Sequence, residues 1–261
     1  MSKIAKALEK AKQGRELNEE LPTFGNVKKI KHEVWAVKPD YSYTKVIQTE
    51  DKYLEKNRIF SFKHKTQEIE DAYDLLRTQV IQKTKEKGWN IIMVTSSMPG
   101  EGKTTTALNL AIRIAREENK TALYVETNTR NPSACKYLGI EASSGLTDYL
   151  LDSKPLQELL ITPGINKLVI LPSGKKISGA IDVLGAPKMK SLILELKNKY
   201  SDRYVIFDCP PLINMPEAYI LMDSADAIIF IVEANKTKKG VIKSSIDYLK
   251  DKNVIGIVMN K

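Results

Sequence analysis

The chain has 261 residues, of which 42% are hydrophobic and 28% are charged, and its formal net charge is +9. This length holds one large α/β domain with an extension, or two small domains, and it excludes two full catalytic domains. The composition excludes a disordered or fibrous chain. The positive charge would suit nucleic acid, anionic lipid or a phosphorylated ligand, and it selects none of them.

The sequence carries no sign of a membrane span or a leader. Apolar runs such as 91–94 and 227–232 are far shorter than the roughly 18 to 20 residues that cross a bilayer. The first residues also lack the apolar core of a signal peptide. We therefore expect the protein to stay in the cytoplasm. The two cysteines, Cys135 and Cys209, have the spacing neither of a disulfide framework nor of a metal site.

Residues 1–65 are charged, interrupted by prolines and without sustained periodicity, so we predict an N-terminal arm there and a compact domain over 66–261. At its start, Ile4 and Leu8 have helical spacing, which predicts a short amphipathic helix with a basic polar face. That helix either docks on a partner or membrane surface or lies on its own domain. The sequence leaves both possibilities open.

The rest of the chain begins with an amphipathic helical pattern over 67–87 that ends at Gly88, followed by a regular alternation of strand and helix patterns. Short runs rich in Val and Ile predict strands at 90–95, 122–126, 168–171, 204–207, 227–232 and 254–259. Helical patterns lie between them, at 103–118, in short pieces to about 160, and at 189–199, 217–222 and 241–250. This alternation predicts an α/β fold with a parallel sheet and helices on both faces.

A phosphate-binding loop lies between the first of these strands and its helix, with the sequence Ser-Ser-Met-Pro-Gly-Glu-Gly-Lys-Thr-Thr over 96–105. Glycines at 100 and 102 let successive backbone N–H groups point at an anion. Lys103 supplies a charge for the β and γ phosphates, and the Thr104 hydroxyl is a ligand for Mg²⁺. We predict that the nucleotide contacts Pro99, Gly100, Glu101, Gly102, Lys103, Thr104 and Thr105.

A second acidic element is expected to complete the magnesium site. Asp208 ends the predicted strand at 204–207 and would hold the metal, through water. An aspartate at a strand end can instead cap a helix or a turn. Its combination with the phosphate loop favours the metal-binding interpretation.

Three segments, 99–104, 123–132 and 207–211, together resemble the bacterial tyrosine kinases of exopolysaccharide and capsule export, and they occur in the order found in that family. The similarity extends over 66–261, and the first twelve residues are similar to the start of the exosortase-associated members. The resemblance implies a P-loop ATPase fold with Mg-ATP as cofactor and phosphoryl transfer to tyrosine.

The same resemblance assigns roles to single residues. Glu126 and Asn128 stand where the family has the two aspartates of an Asp-x-Asp-x-Arg motif. It implies that Glu126 orients the tyrosine hydroxyl, as part of a catalytic set with Lys103 and Asp208, and that Asn128 contributes to the metal site. It also implies that Asn260 contacts adenine.

The resemblance further implies a partner and a place in the cell. The partner is a transmembrane polysaccharide co-polymerase whose cytosolic segment activates the kinase at the inner face of the plasma membrane. In the family, a helix with two arginines joins the subunits into a ring. The corresponding stretch here keeps Arg77 and has Asp74 in place of the first arginine, so the resemblance leaves a homo-oligomer open. No specific nucleic acid is expected as a ligand, because the lysines are spread along the whole chain.

Two functions remain open from the sequence. The first is an ATP-dependent tyrosine kinase that regulates polysaccharide synthesis or export. The second is a catalytically weak or non-kinase ATPase switch that controls the membrane partner. Asn128 and the lack of a tyrosine cluster after Asn260 favour the second.

Overall fold

The protein, described here by a computed structural model over residues 44–60 and 67–261, contains one β-sheet within those ranges. Its strands are β1 (Lys45–Val46), β2 (Ile91–Ser96), β3 (Thr121–Glu126), β4 (Ile161–Thr162), β5 (Leu168–Leu171), β6 (Arg203–Asp208), β7 (Ala227–Glu233) and β8 (Val254–Asn260). Their order across the sheet is β1-β4-β5-β3-β6-β2-β7-β8.

All neighbouring strands are parallel except β4 and β5, which are antiparallel. The predicted parallel sheet is therefore confirmed, with one antiparallel pair near an edge. Only five residues separate β4 from β5, and a connection this short suits antiparallel strands, since parallel strands need a long crossover. The two-residue strands β1 and β4 are too short to show a period in the sequence, and we did not predict them.

The helices cover both faces of the sheet and end close to the predicted positions. They are α1 (Asp51–Lys56), α2 (Gln67–Lys85), α3 (Lys103–Ala115), α4 (Ala134–Leu138), α5 (Leu146–Asp152), α6 (Leu156–Leu159), α7 (Ala180–Gly185), α8 (Pro187–Lys199), α9 (Pro216–Met222) and α10 (Lys239–Tyr248). None of these helices is both long enough and apolar enough to cross a membrane.

Two apolar clusters lie on opposite faces of the sheet. Successive residues of β2 alternate between them: Ile92 and Val94 belong to the cluster that includes α3, and Ile91 and Met93 belong to the cluster that includes α8. Because both faces are covered, β2 is buried along its whole length. This double burial explains why the central strands appear in the sequence as continuous apolar runs.

Residues 44–60, the described part of the predicted arm, pack on the domain. Strand β1 adds to the sheet edge beside β4, and the side chains of Leu54 and Ile59 are buried in the apolar cluster on the α3 face. Leu54 and Ile59 are isolated apolar residues in a polar stretch, so they leave no periodic signal. Residues 44–60 of the predicted arm thus pack on the domain, and the predicted helix near Ile4 and Leu8 lies outside the described residues.

A buried asparagine of α3 fastens this segment. The Asn109 Oδ1 atom accepts a hydrogen bond of 2.7 Å from the backbone N–H of Phe60, and its Nδ2 atom donates one of 2.9 Å to the carbonyl of Arg58. The same Nδ2 donates to the carbonyl of Thr105, in the first turn of α3. The segment is therefore tied to the helix that follows the phosphate loop.

The segment can be tested for its share of stability with Ile59→Ala. Ile59 is fully buried, so removing three carbons should lower the free energy of unfolding by about 2–4 kcal/mol. Urea denaturation measures this change, and Val46→Ala serves as the control because Val46 lies in the same segment with 56% of its surface exposed. Equal unfolding free energies for Ile59→Ala and the wild type would contradict the packing of this segment.

Candidate nucleotide site

The phosphate loop occupies the turn between β2 and α3, at the carboxyl edge of the sheet. Gly100 and Gly102 have φ angles of +85° and +92°, in the left-handed region that favours glycine. A Cβ atom at Gly102 would also lie 1.8 Å from the Nδ2 atom of Asn260. Both the backbone conformation and the close approach of Asn260 therefore require glycine at position 102.

Lys103 lies at the base of a cleft of about 230 Å³. Only 6% of its surface is exposed, and its ammonium forms no hydrogen bond or ion pair within the described part of the chain. Lys103 lines the cleft, and an ammonium without a direct partner there suits an anionic ligand.

The cleft brings together most of the predicted binding residues. It is lined by Pro99, Gly100, Gly102, Lys103, Thr104, Thr105 and Asn128. Six further lining residues were not predicted: Asn131, Ser133, Tyr137, Pro211, Met215 and Lys261. The first three follow the motif at 126–130 closely enough for that motif to have suggested them. Pro211 belongs to the segment 207–211 that carries the family resemblance, and nothing in the sequence marks Met215 or Lys261.

The Glu101 side chain supports the loop from behind. Its carboxylate accepts a hydrogen bond of 2.8 Å from the backbone N–H of Met98 and another from the hydroxyl of Thr237. The side chain is buried and does not line the cleft, so only the backbone of Glu101 remains for the predicted nucleotide contact. Ser97, where the general motif has glycine, is also buried, and its hydroxyl lies 2.9 Å from that of Ser245 on α10.

Asn260, at the end of β8, is also engaged with the loop. Its Nδ2 atom donates a hydrogen bond of 3.0 Å to the carbonyl of Glu101. Beside it, a groove of about 550 Å³ lies between α2 and β8 and is lined mainly by apolar side chains. Asn260, Thr105 and Lys261 border this groove as well. The contact of Asn260 with adenine stays a prediction.

Asp208 lies beside the phosphate loop and is 1% exposed. Its Oδ2 atom accepts two hydrogen bonds, of 2.6 Å from Thr104 Oγ1 and of 2.8 Å from Tyr124 Oη. Its Oδ1 atom has no hydrogen-bond partner among the described residues. Burial raises the pKa of Asp208, while the charge of Lys103 and the two hydroxyl donors oppose that rise.

These atoms fit a magnesium ion. Mg²⁺ prefers hard oxygen ligands and retains several waters, and a buried carboxylate oxygen without a partner, next to the Thr104 hydroxyl, offers such a ligand. Asn128, which lines the cleft, adds an amide oxygen on the neighbouring loop. Three residues of the predicted metal set therefore lie at one edge of the sheet.

Glu126 is placed differently from the expectation for a base that faces the acceptor. Its Oε1 atom accepts hydrogen bonds from the backbone N–H groups of Ser133 and Ala134, the latter of 2.8 Å, and its Oε2 atom lies 3.4 Å from the N–H of Ser173. The side chain is buried and does not line the cleft. Burial raises the pKa of Glu126 to about 7, against the effect of these N–H donors.

Three charged residues of α2, Glu70, Asp74 and Arg77, form ion pairs within the chain. Asp74 lies 3.2 Å from Arg77 and 3.5 Å from the buried Arg113, which also lies 2.9 Å from Glu70. Asp74 thus ties α2 to α3. Assembly through this helix stays a prediction.

Comparisons with known proteins identify the family of this chain. Residues 89–254 match the AAA domain family. The tyrosine-protein kinase YwqD of Bacillus subtilis is 30% identical over 73% of this chain and 80% of its own length. The tyrosine-protein kinase CpsD of Streptococcus pneumoniae serotype 4 is 34% identical over 74% of this chain and 84% of its own length. The succinoglycan biosynthesis transport protein ExoP of Rhizobium meliloti is 26% identical, but this chain spans only 22% of it.

Solved structures show the same fold. The kinase domain of VpsO superposes with a TM-score of 0.66 at 25% identity and covers 74% of this chain and 95% of that domain. The septum site-determining protein MinD of Pyrococcus horikoshii, solved with Mg-ADP, has a TM-score of 0.55 at 23% identity, over 66% of this chain and 70% of its own, and shows the fold alone. From the family match and the two kinases at 30% identity or more, we conclude that the chain is a P-loop ATPase of the bacterial tyrosine-kinase family.

Proposed function

We propose that this protein binds Mg-ATP and transfers its γ-phosphoryl group to tyrosine, and that it thereby regulates exopolysaccharide synthesis or export. The observation that carries the proposal is a pair of neighbouring groups at the phosphate loop. Lys103 lines the cleft without a hydrogen bond or ion pair among the described residues, and its charge acts on Asp208, whose Oδ1 atom has no hydrogen-bond partner there. A cation that lines the cleft and a buried carboxylate oxygen without a partner are what a nucleotide phosphate and its metal would complement.

Each residue of the site has a distinct role in this proposal. The backbone N–H groups of the loop and the Lys103 ammonium hold the β and γ phosphates. Thr104, Asp208 and Asn128 hold Mg²⁺, which neutralises charge on the phosphates when it is bound. The Asn260 amide is the proposed contact for adenine.

Phosphoryl transfer needs positioning and charge stabilisation above all. The bond between the γ-phosphorus and the bridging oxygen breaks as the tyrosine oxygen bonds to that phosphorus, and the tyrosine proton passes to a base. Lys103 stays beside the phosphate oxygens as charge moves toward the leaving group. Glu126 is the proposed base, and to act in this way its carboxylate would have to leave the N–H groups of Ser133 and Ala134.

That requirement favours a second candidate function. In this alternative the protein binds or slowly hydrolyses ATP and works as a switch on a membrane protein. The supporting observation is that the Glu126 carboxylate is already held by backbone N–H groups and does not line the cleft. The neutral Asn128 in the metal set points the same way, because an amide binds Mg²⁺ more weakly than a carboxylate does.

The proposed partner is a transmembrane polysaccharide co-polymerase, which would recruit this chain to the inner face of the plasma membrane through a cytosolic segment. One relative supports this part, because ExoP is named as a biosynthesis transport protein and this chain spans only 22% of its length.

Lys103→Ala tests the proposed function directly. The purified protein is incubated with Mg²⁺ and ATP labelled at the γ-phosphate, and label on tyrosine is separated from free phosphate. We expect labelling of tyrosine in the wild type and a fall of about a hundredfold or more in Lys103→Ala, because one preorganised charge at the transferred group is lost. Lys243→Ala, at an exposed lysine of α10, is the matched control.

The label also separates the two candidate functions. Phosphotyrosine that disappears with Lys103→Ala supports the kinase, whereas free phosphate alone supports the switch. Wild-type protein that neither binds ATP nor releases phosphate would contradict both.

The raised pKa of Glu126 predicts a dependence of stability on pH. The folded-state pKa is about 7, above the roughly 4.3 of an unfolded glutamate, so the folded protein binds the extra proton. This contribution is complete below about pH 4.3 and is lost as the pH rises through 7, at a cost of roughly 3 kcal/mol. Urea denaturation from pH 4.5 to 8, without nucleotide or metal, measures it.

Glu126→Gln is the control, since glutamine resembles the neutral carboxyl group. As the pH rises from 4.5 to 8, the wild type should lose unfolding free energy relative to Glu126→Gln. Parallel curves would contradict the raised pKa.

The same variant also tests whether Glu126 is the catalytic base. Loss of phosphotyrosine with unchanged ATP affinity is expected if it is, and unchanged phosphoryl transfer would remove Glu126 from the catalytic set.

A further inference from the structure

Tyr124 is a fully buried tyrosine next to the candidate metal site. It lies on β3, in the same apolar cluster as Ile92 and Ile206, with no exposed surface. Its hydroxyl donates a hydrogen bond of 2.8 Å to Asp208 Oδ2. A buried hydroxyl costs free energy unless it is hydrogen-bonded, so this contact is what makes a tyrosine acceptable at this position.

The register of the sheet explains how Tyr124 reaches Asp208. Strands β3 and β6 are parallel neighbours, with Glu126 directly opposite Asp208. Tyr124 is two residues before Glu126, so it points to the same face and is the diagonal neighbour of Asp208. Diagonal neighbours are roughly 7–8 Å apart, a distance that a tyrosine spans and that a shorter aliphatic residue does not.

The two donors to Asp208 Oδ2 differ in one respect. The Thr104 hydroxyl lines the cleft and is a candidate metal ligand, so a metal bound to its oxygen would also set the direction of its hydrogen bond to Asp208. Tyr124 does not line the cleft. Its hydrogen bond to Asp208 therefore does not depend on what the cleft contains.

We propose that Tyr124 is a positioning residue for Mg²⁺: it holds Asp208 by Oδ2 and thereby keeps Oδ1 available to the metal or to a metal-bound water. This proposal rests on the proposed Mg-ATP site. The hydrogen bond from Tyr124 to Asp208 matters for metal binding in this chain because the nearby Glu126 carboxylate is held by backbone N–H groups and Asn128 is neutral. Asp208 is thus the one charged candidate among the predicted metal ligands.

The test compares Tyr124→Phe with Tyr204→Phe. Tyr204 is a buried tyrosine near the start of β6, and its hydroxyl lies 2.9 Å from Thr84 Oγ1, away from the cleft. Both substitutions remove one hydroxyl from a buried tyrosine, so their general effects on packing are matched. A fluorescent ATP analogue reports nucleotide binding, first in EDTA and then during a Mg²⁺ titration, and urea denaturation establishes that both variants fold.

For Tyr124→Phe we expect the Mg²⁺ concentration at half-maximal effect to rise about tenfold or more, because residues that orient metal ligands affect metal affinity by roughly 10- to 100-fold. Its affinity in EDTA should change less than about twofold, and excess Mg²⁺ should restore phosphoryl transfer. Tyr204→Phe should titrate like the wild type.

An unchanged Mg²⁺ midpoint in Tyr124→Phe, or the same shift in Tyr204→Phe, would overturn the proposal. If Tyr124→Phe does not fold, Tyr124→Met replaces it, with similar volume and no hydroxyl, under the same two criteria. Failure of the proposed function would be distinct, because the wild-type protein itself would then show no Mg²⁺-dependent nucleotide binding.

Discussion

The burial of one carboxylate constrains the architecture of the site. Asp208 ends the central strand β6 with almost no contact with solvent, and an ionised carboxylate in such a place needs compensation from charges and donors. Lys103 supplies the charge, and the hydroxyls of Thr104 and Tyr124 supply the donors. Lys103 and Thr104 directly follow the phosphate loop, and Tyr124 lies on β3. The compensation of Asp208 therefore requires β3, β6 and the phosphate loop to meet at one edge.

The strand order produces that meeting. Strand β6 lies between β3 and β2, and β2 leads into the phosphate loop. In an open parallel sheet, ligands bind in the crevice at the carboxyl ends of the strands. The same edge carries Asn128, just after β3, and Asn260, at the end of β8. Nucleotide binding is therefore a consequence of the sheet topology as well as of the loop sequence.

Local signals predicted much of this structure, and contacts between distant residues account for what they missed. The phosphate loop and the central strands are encoded by neighbouring residues, as glycines before Lys103 or as runs of Val and Ile. The contact of Tyr124 with Asp208 depends on the register between β3 and β6, and the local sequence does not reveal that register. The Glu101 carboxylate turns toward Thr237, far away in the chain, because α10 packs behind the loop.

The local sequence also did not reveal how Glu126, which replaces an aspartate of the family motif, is placed. From the sequence, Glu126 differs from the expected aspartate by one methylene and keeps its charge. In the sheet, however, residue 126 lies directly opposite Asp208, and like charges directly opposite each other are destabilising. The longer side chain lets the Glu126 carboxylate reach the N–H groups at the start of α4, and its pKa near 7 reduces the repulsion further. These hydrogen bonds hold the Glu126 carboxylate at the start of α4 and outside the cleft. Asp208 is then left as the charged group for the metal, and the choice between kinase and switch depends on whether Glu126 can leave α4 when the acceptor binds.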